Sequence, residues 1–160
     1  TFDEIRALFL AKKGNALTAS ELIPFDQVNE SIWSMGAEIF IPAAGSRLVS
    51  RKNVEEMVGG GLECISCGAN VPFSDPEIFL GEIGQYADSK AALIPDFIAN
   101  CGMARVFAYL MDPYVEVTDQ AIFEDVSEVI LRALKKVHAE DKKTIGLTTK
   151  AFEVSLRELL

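Results

Sequence analysis

No apolar run in this sequence approaches the roughly 18 residues that a membrane-crossing helix needs. Basic residues are also in short supply: 15 Lys and Arg face 24 Asp and Glu, for a net charge of −9. Such a surface repels phosphate backbones and anionic lipid, so neither nucleic acid nor a membrane is expected as a partner. The first segment, TFDEIRALFLAKKG, has no basic residues ahead of its apolar ones and no small-residue cleavage site. It reads as an amphipathic helix rather than a secretory leader. Cysteine is scarce. Three, an odd number, do not make a secreted disulfide framework, and a cytoplasmic setting is expected.

Cys64-Ile-Ser-Cys67 has the spacing of a redox or zinc pair. A structural zinc needs about four ligands, and the remaining Cys and His residues, Cys101 and His138, fall on distant helices. Three apart on a strand, the two thiols would also point to opposite faces. No metal is expected. Gly59-Gly60-Gly61 precedes a strand pattern instead of following one, so it reads as a helix stop rather than a phosphate loop.

What is present is ordinary for a globular domain: 160 residues, 49% hydrophobic and 24% charged, enough for one core. Internal repeats, low-complexity segments and obvious linkers are absent. Helical patterns alternate with short apolar runs. Phe2, Ile5, Leu8 and Phe9 share a helical face, with Gly14 placed to stop that helix. Asp26 to Met35 predicts a second helix, ended by Gly36, and Trp33 and Met35 are expected to pack it on a sheet. AEIFIPAA is the first strand pattern. Ser50 caps a helix reaching Met57 and Val58, and Leu62 to Ser66 is the second strand. Asp75-Pro76 predicts a helix start, with the helix reaching Gly84 or Tyr86. Ala91 to Pro95 is the third strand. Asn100 is expected to open a helix that ends before Pro113. Beyond it, Thr118 caps a long helix with a stripe of Ile122, Phe123, Val126, Val129, Ile130, Ala133, Leu134 and Val137. A final helix carries Phe152, Leu156 and Leu159. His138, with Lys135 and Lys136, suits the C-terminal end of the long helix. Glu55-Glu56 and Lys142-Lys143 read as surface charge.

Strands this short between helices imply βαβ units. The expected fold is therefore α/β: a partial doubly wound, Rossmann-like parallel sheet flanked by helices, with extra C-terminal helices. Ligands of such sheets bind outside the carboxyl ends of the strands. IPAAGS (41–46), SCGANVP (66–72) and PDFIANCG (95–102) occupy those ends. Each carries small residues that admit a close approach. Two carry an Asn, whose amide both donates and accepts, as a carboxamide ligand such as nicotinamide requires. Taken singly, these segments are equally ordinary turn formers.

Taken in order, Ile41-Pro42-Ala43-Ala44, Gly68-Ala69-Asn70-Val71-Pro72 and Pro95-Asp96-Phe97-Ile98-Ala99-Asn100-Cys101-Gly102 resemble the dehydrogenases of the glutamate/leucine/phenylalanine/valine family. The resemblance runs from about Phe2 to the end. It implies reversible oxidative deamination of an L-amino acid to a 2-oxo acid and ammonia, with NAD or NADP as cofactor. It places Ala43 and Ala44 along the cofactor, and Asn70 and Asn100 on the nicotinamide ribose and carboxamide. It also implies that residues 1–115 are the C-terminal part of an NAD(P)-binding domain and that 116–160 are helices packing back towards a substrate domain. In the family, the glycine loop, the acidic ribose ligand and the N-terminal domain with the catalytic Lys and Asp lie upstream of these motifs. The chain is accordingly expected to be a fragment with no catalytic residue of its own, whose intact protein is a homo-oligomer through that other domain.

Three positions depart from the pattern. Cys67 stands where glutamate-type enzymes have Glu, Met103 replaces a Gly, and Phe107 lies near a Ser that binds a substrate carboxylate. Phe has no donor, so Phe107 in a substrate pocket leans towards an apolar amino acid or towards lost activity. The alternative reading is a degenerate, non-catalytic Rossmann-like domain used in regulation or assembly. A stand-alone module of three strands is disfavoured, because it would leave a long sheet edge unpaired.

Overall fold

The computed structural model describes residues 1–14, 16–17 and 22–159. They form two compact units, Thr1–Ile32 and Trp33–Leu160. In the first, α1 (Phe2–Ala11) begins with a capping box: the Glu4 N–H donates to the Thr1 hydroxyl and the Glu4 carboxylate takes the Thr1 amino group. The helix stops at Ala11, ahead of the expected Gly14. That glycine, at φ +62°, instead turns the chain so that Lys13 and Ala16 exchange backbone hydrogen bonds. Helix α2 (Phe25–Ser31) passes into a 3₁₀ turn, Ile32–Ser34, rather than running on to Met35. The Ser31 hydroxyl donates back to the Gln27 carbonyl at 2.9 Å, a bond that competes with regular helix at this end.

The second unit is the α/β domain that the sequence implies. Strands β1 (Ile39–Phe40), β2 (Cys64–Ser66) and β3 (Ala92–Ile94) form a parallel sheet in that order, with Ile39 opposite Cys64 and Ile65 opposite Leu93. Each strand occupies only part of its apolar run. Helices α3 (Arg51–Gly59) and α4 (Glu82–Lys90) connect them. Ile65 and Leu93 point into a core with Val54, Met57 and Ala87. Ile94, one residue on and therefore on the opposite face, packs against a second cluster of Ile98, Val137 and Ala151. Trp33 joins the first core edge-on to Phe40, whereas Met35 is exposed.

Ser50 caps α3 as expected, in a capping box with Asn53. The glycine run stops it: Gly60 is its C-cap, and Gly61 sits at φ +97°. Helix α4 corrects the expectation of a start at Asp75-Pro76, for it begins at Glu82 and runs on to Lys90. Asp75 nonetheless caps it. Its buried carboxylate accepts from Ile83 N–H (2.8 Å) and Gly84 N–H (2.9 Å) across an intervening loop. Gly81 is required there, because a Cβ would come within 2.4 Å of Asp75.

Helices α5 (Asp96–Ala99) and α6 (Gly102–Leu110) follow β3. The helix expected from Asn100 is α6, which starts at Gly102 and ends at Leu110, ahead of Pro113. The short α5 precedes it, and Asn100 is the C-cap of α5 rather than the start of α6. The Arg105 guanidinium grips both Asp125 oxygens, at 2.6 and 2.7 Å, tying α6 to α7 (Asp119–Glu140). Thr118 caps α7. Of its apolar stripe, Ile130, Ala133, Leu134 and Val137 join the second core, Ile122, Val126 and Val129 are half-buried, and Phe123 is 72% exposed.

In α8 (Leu147–Glu158) the buried face is Thr148, Ala151 and Val154. Of the three residues expected on it, Phe152 is half-buried against Phe79 and Phe97, Leu156 is exposed, and Leu159 lies just beyond the helix. Polar bonds decide which face turns inward. Asp88, 2% exposed, accepts from Thr148 N–H, Thr149 N–H and the Thr149 hydroxyl at 2.8–3.0 Å. The Thr148 hydroxyl donates to the Leu93 carbonyl of edge strand β3 at 2.6 Å. Two N–H groups of the first turn of α8 are satisfied by a residue sixty positions away.

Replacing Asp88 by Ala orphans those donors in a buried place, which costs about 3 kcal/mol. The urea midpoint of Asp88→Ala is expected to fall accordingly. An unchanged midpoint would show that α8 is held by its apolar contacts alone.

Candidate functional site

The carboxyl ends of the three strands feed segments that are bonded to one another. Ala69 N–H donates to the Pro42 carbonyl at 2.7 Å, Cys67 N–H to the Ile94 carbonyl at 3.1 Å, and Arg47 N–H to the Val71 carbonyl at 2.7 Å. Val49 and Phe73 extend this stitching as an isolated parallel bridge. At the crossing, Gly68 lies so close to the first segment that a Cβ would stand 3.2 Å from that of Ala43. The small residues at these strand ends therefore have a packing reason of their own.

Asn70 and Asn100 meet. The Asn100 Nδ2 donates to the Asn70 Oδ1 at 2.5 Å across thirty residues of sequence. Both side chains are exposed, as are Ala43 and Ala44 on the neighbouring segment. The bond consumes one acceptor and one donor. Asn100 Oδ1 and Asn70 Nδ2 have no other partner among the described residues, so the pair offers one acceptor and one donor group together. That complement fits a carboxamide. Of the expected site residues, the structure brings these two asparagines together. Ala43 is placed by its approach to Gly68, and Ala44 follows it. Phe107 is 64% exposed on α6, in line with Met103 four residues before it, and has no described contact with the asparagine pair.

Two features of the site escape a reading of the sequence. Val71 sits at φ +46° and its bonded neighbour Arg47 at φ +60°. A β-branched residue in this region is a genuine outlier, and such strain concentrates at functional sites. Asp96 is the second. Its carboxylate accepts from Val71 N–H and from its own neighbour Phe97 N–H, both at 2.8 Å, and its carbonyl accepts from Asn100 N–H at 2.7 Å. An acidic residue straight after a proline and before a short apolar helix is a first-turn signal. Its reach to another loop is not legible from the sequence.

Beneath the turn, Phe79, Phe97 and Phe152 surround one another with ring centroids 5.6–6.3 Å apart. The cavity they share with Cys67 measures about 50 Å³. That admits a few waters, far less than a dinucleotide. The open surface at the strand ends is the candidate site.

The sequence profile described as Glutamate/Leucine/Phenylalanine/Valine dehydrogenase matches residues 3–160. The chain belongs to this family. Among solved structures it is similar to the glutamate dehydrogenase of Plasmodium falciparum, with a TM-score of 0.51 over 74% of the chain at 16% identity. It spans 26% of that protein's length. No curated protein is a significant match. At this identity the structural likeness shows the shared α/β fold; the profile shows the family.

Cys67, one of the three departures from the family's pattern, proves to be internal. It is 2% exposed and belongs to the first core. Burial, with the nearby Asp96 carboxylate and Cys64 adding to it, pushes its thiol up to about 12. All three cysteines are free, and among the described residues no group of three His, Cys, Asp or Glu could hold a metal. No described helix is long and apolar enough to cross a membrane.

Thiolate is the reactive form, so Cys67 is expected to stay unmodified by iodoacetamide at pH 8 in the folded protein and to react once urea is added. Rapid labelling of Cys67 without denaturant would contradict the buried placement.

Proposed function

We propose that this chain is the nicotinamide-side part of the cofactor domain of an NAD(P)-dependent amino-acid dehydrogenase, which deaminates an L-amino acid to a 2-oxo acid and ammonia. Residues 1–115 belong to the cofactor domain in this reading, and 116–160 are the helices that return towards the substrate domain. The observation that carries it is the hydrogen-bonded pair Asn70–Asn100 at the strand ends, inside a family of such enzymes.

The residues present fit the cofactor's carboxamide. Asn100 Oδ1 would accept from its NH₂ and Asn70 Nδ2 would donate to its carbonyl, while Ala43 and Ala44 leave the neighbouring surface low enough for a flat ring. When bound, nicotinamide supplies the hydride acceptor. The chain's contribution is orientation: two amides locked to each other lose little freedom on binding, which is how a preorganised site raises the rate. The acid–base groups belong to the other domain in this reading, and the protein works as an oligomer assembled through that domain.

A second reading, a non-catalytic domain used in assembly, draws on Met103 and Phe107. Their shared exposed face on α6 suits a protein contact as well as an apolar substrate pocket. Turnover separates the two. The full-length protein is expected to reduce NAD⁺ or NADP⁺ when given an L-amino acid, with apolar ones favoured by Phe107. Asn100→Ala should raise the KM for the dinucleotide about tenfold, the worth of one or two net hydrogen bonds. No amino-acid-dependent reduction across a substrate panel would turn the account towards assembly.

A further inference from the structure

We propose that Asp96 is a positioning residue that sets the geometry of the asparagine pair and so governs discrimination for a carboxamide over other groups at this site. The inference rests on the cofactor reading above and extends it to a residue that touches no ligand.

Among the described residues, Asp96 alone is bonded both to Asn100 and to the residue that follows Asn70. Its carboxylate holds the N–H of Val71, the residue directly after Asn70. Its carbonyl holds the N–H of Asn100 itself. Turn and helix are thereby fixed to one residue, and the two side-chain amides come within bonding distance of each other. Val71 is held on both sides, its carbonyl by the Arg47 N–H and its own N–H by Asp96, and losing the second bond removes one of these two restraints. Val71 stands at φ +46°, where a β-branched side chain crowds its own backbone, and it would relax towards the extended region if released. Relaxation there rotates the preceding peptide, and Asn70 with it.

The carboxylate suits this task better than an amide would. Both of its oxygens accept, and they meet two N–H donors, those of Val71 and Phe97. Asparagine could satisfy only one, because its NH₂ would face the other N–H. Hydrogen bonds to a charged acceptor are also the stronger kind. A merely structural Asp96 would affect folding. A positioning Asp96 affects which ligand is preferred.

The test compares three probes on the full-length protein: NAD⁺ (or NADP⁺, whichever binds more tightly), the corresponding nicotinic acid dinucleotide, and ADP-ribose or its 2′-phosphate. The second carries a carboxylate in place of the carboxamide, and the third lacks the ring. The unaltered protein is expected to bind the nicotinamide form more tightly than the nicotinic acid form. Asp96→Ala should shrink that ratio roughly 5- to 10-fold, the worth of about one net hydrogen bond, with ADP-ribose affinity unchanged. The double variant Asp96→Ala/Val71→Gly should recover part of the ratio, since glycine holds positive φ unaided. A ratio in Asp96→Ala equal to that of the unaltered protein overturns the proposal and leaves the cofactor reading standing. No preference for the nicotinamide form in the unaltered protein overturns the cofactor reading, and the proposal with it. Should Asp96→Ala lose ADP-ribose affinity too, Asp96→Asn carries the test: it keeps at most one of the two N–H bonds, so a smaller drop in the ratio is expected, and an unchanged ratio there overturns the proposal.

Discussion

Where parallel strands end, backbone N–H groups leave the sheet and must find acceptors elsewhere, since a buried unpaired donor is costly. Most of the architecture around the candidate site answers that constraint. Pro42 gives its carbonyl to Ala69, Ile94 to Cys67, and Val71 to Arg47. Asp96 supplies its side chain to Val71 and Phe97. The result is a surface of small residues bearing two facing amides, fixed from below by bonds that run between strands instead of along them.

The same device holds the rest of the domain. Asp75 caps α4 from beyond a loop, and Asp88 caps α8 from the end of another helix. Each is a buried carboxylate whose lone pairs meet backbone donors at a helix N-terminus, where the helix dipole also favours a negative charge. In an acidic chain these two aspartates are the acids found buried among the described residues. Losing Asp75 or Asp88 leaves helix N-terminal donors without their acceptor, so the cost falls on the placement of a whole helix.

Periodicity and punctuation carried far in this sequence. The three apolar runs are strands in a parallel sheet, Ser50 and Thr118 cap the helices they precede, and Gly60 and Gly61 stop α3. The order of the three strand-end motifs led to the family. What stayed hidden was tertiary. Asp75-Pro76 carries a real capping signal, but only the folded chain shows that the capped helix begins at Glu82. The final helix is legible in the sequence, but its buried face is not: bonds from Asp88 and to Leu93 turn Thr148 inward, beside Ala151 and Val154. Asn100 looks like a helix start and is a break between two helices. That break frees its side chain to meet Asn70. Cys67 reads as a departure within a ligand motif and is a core residue, because alternation along the end of β2 turns it inward.

We propose that Asn70 and Asn100 together receive a nicotinamide carboxamide. A crystal structure of the full-length protein with its bound dinucleotide tests it most directly. The expected result is the carboxamide within hydrogen-bonding distance of both side chains, with Asn100 accepting from its NH₂ and the ring lying over Ala43 and Ala44. A nicotinamide seated elsewhere, with the two asparagines still bonded only to each other, would contradict it.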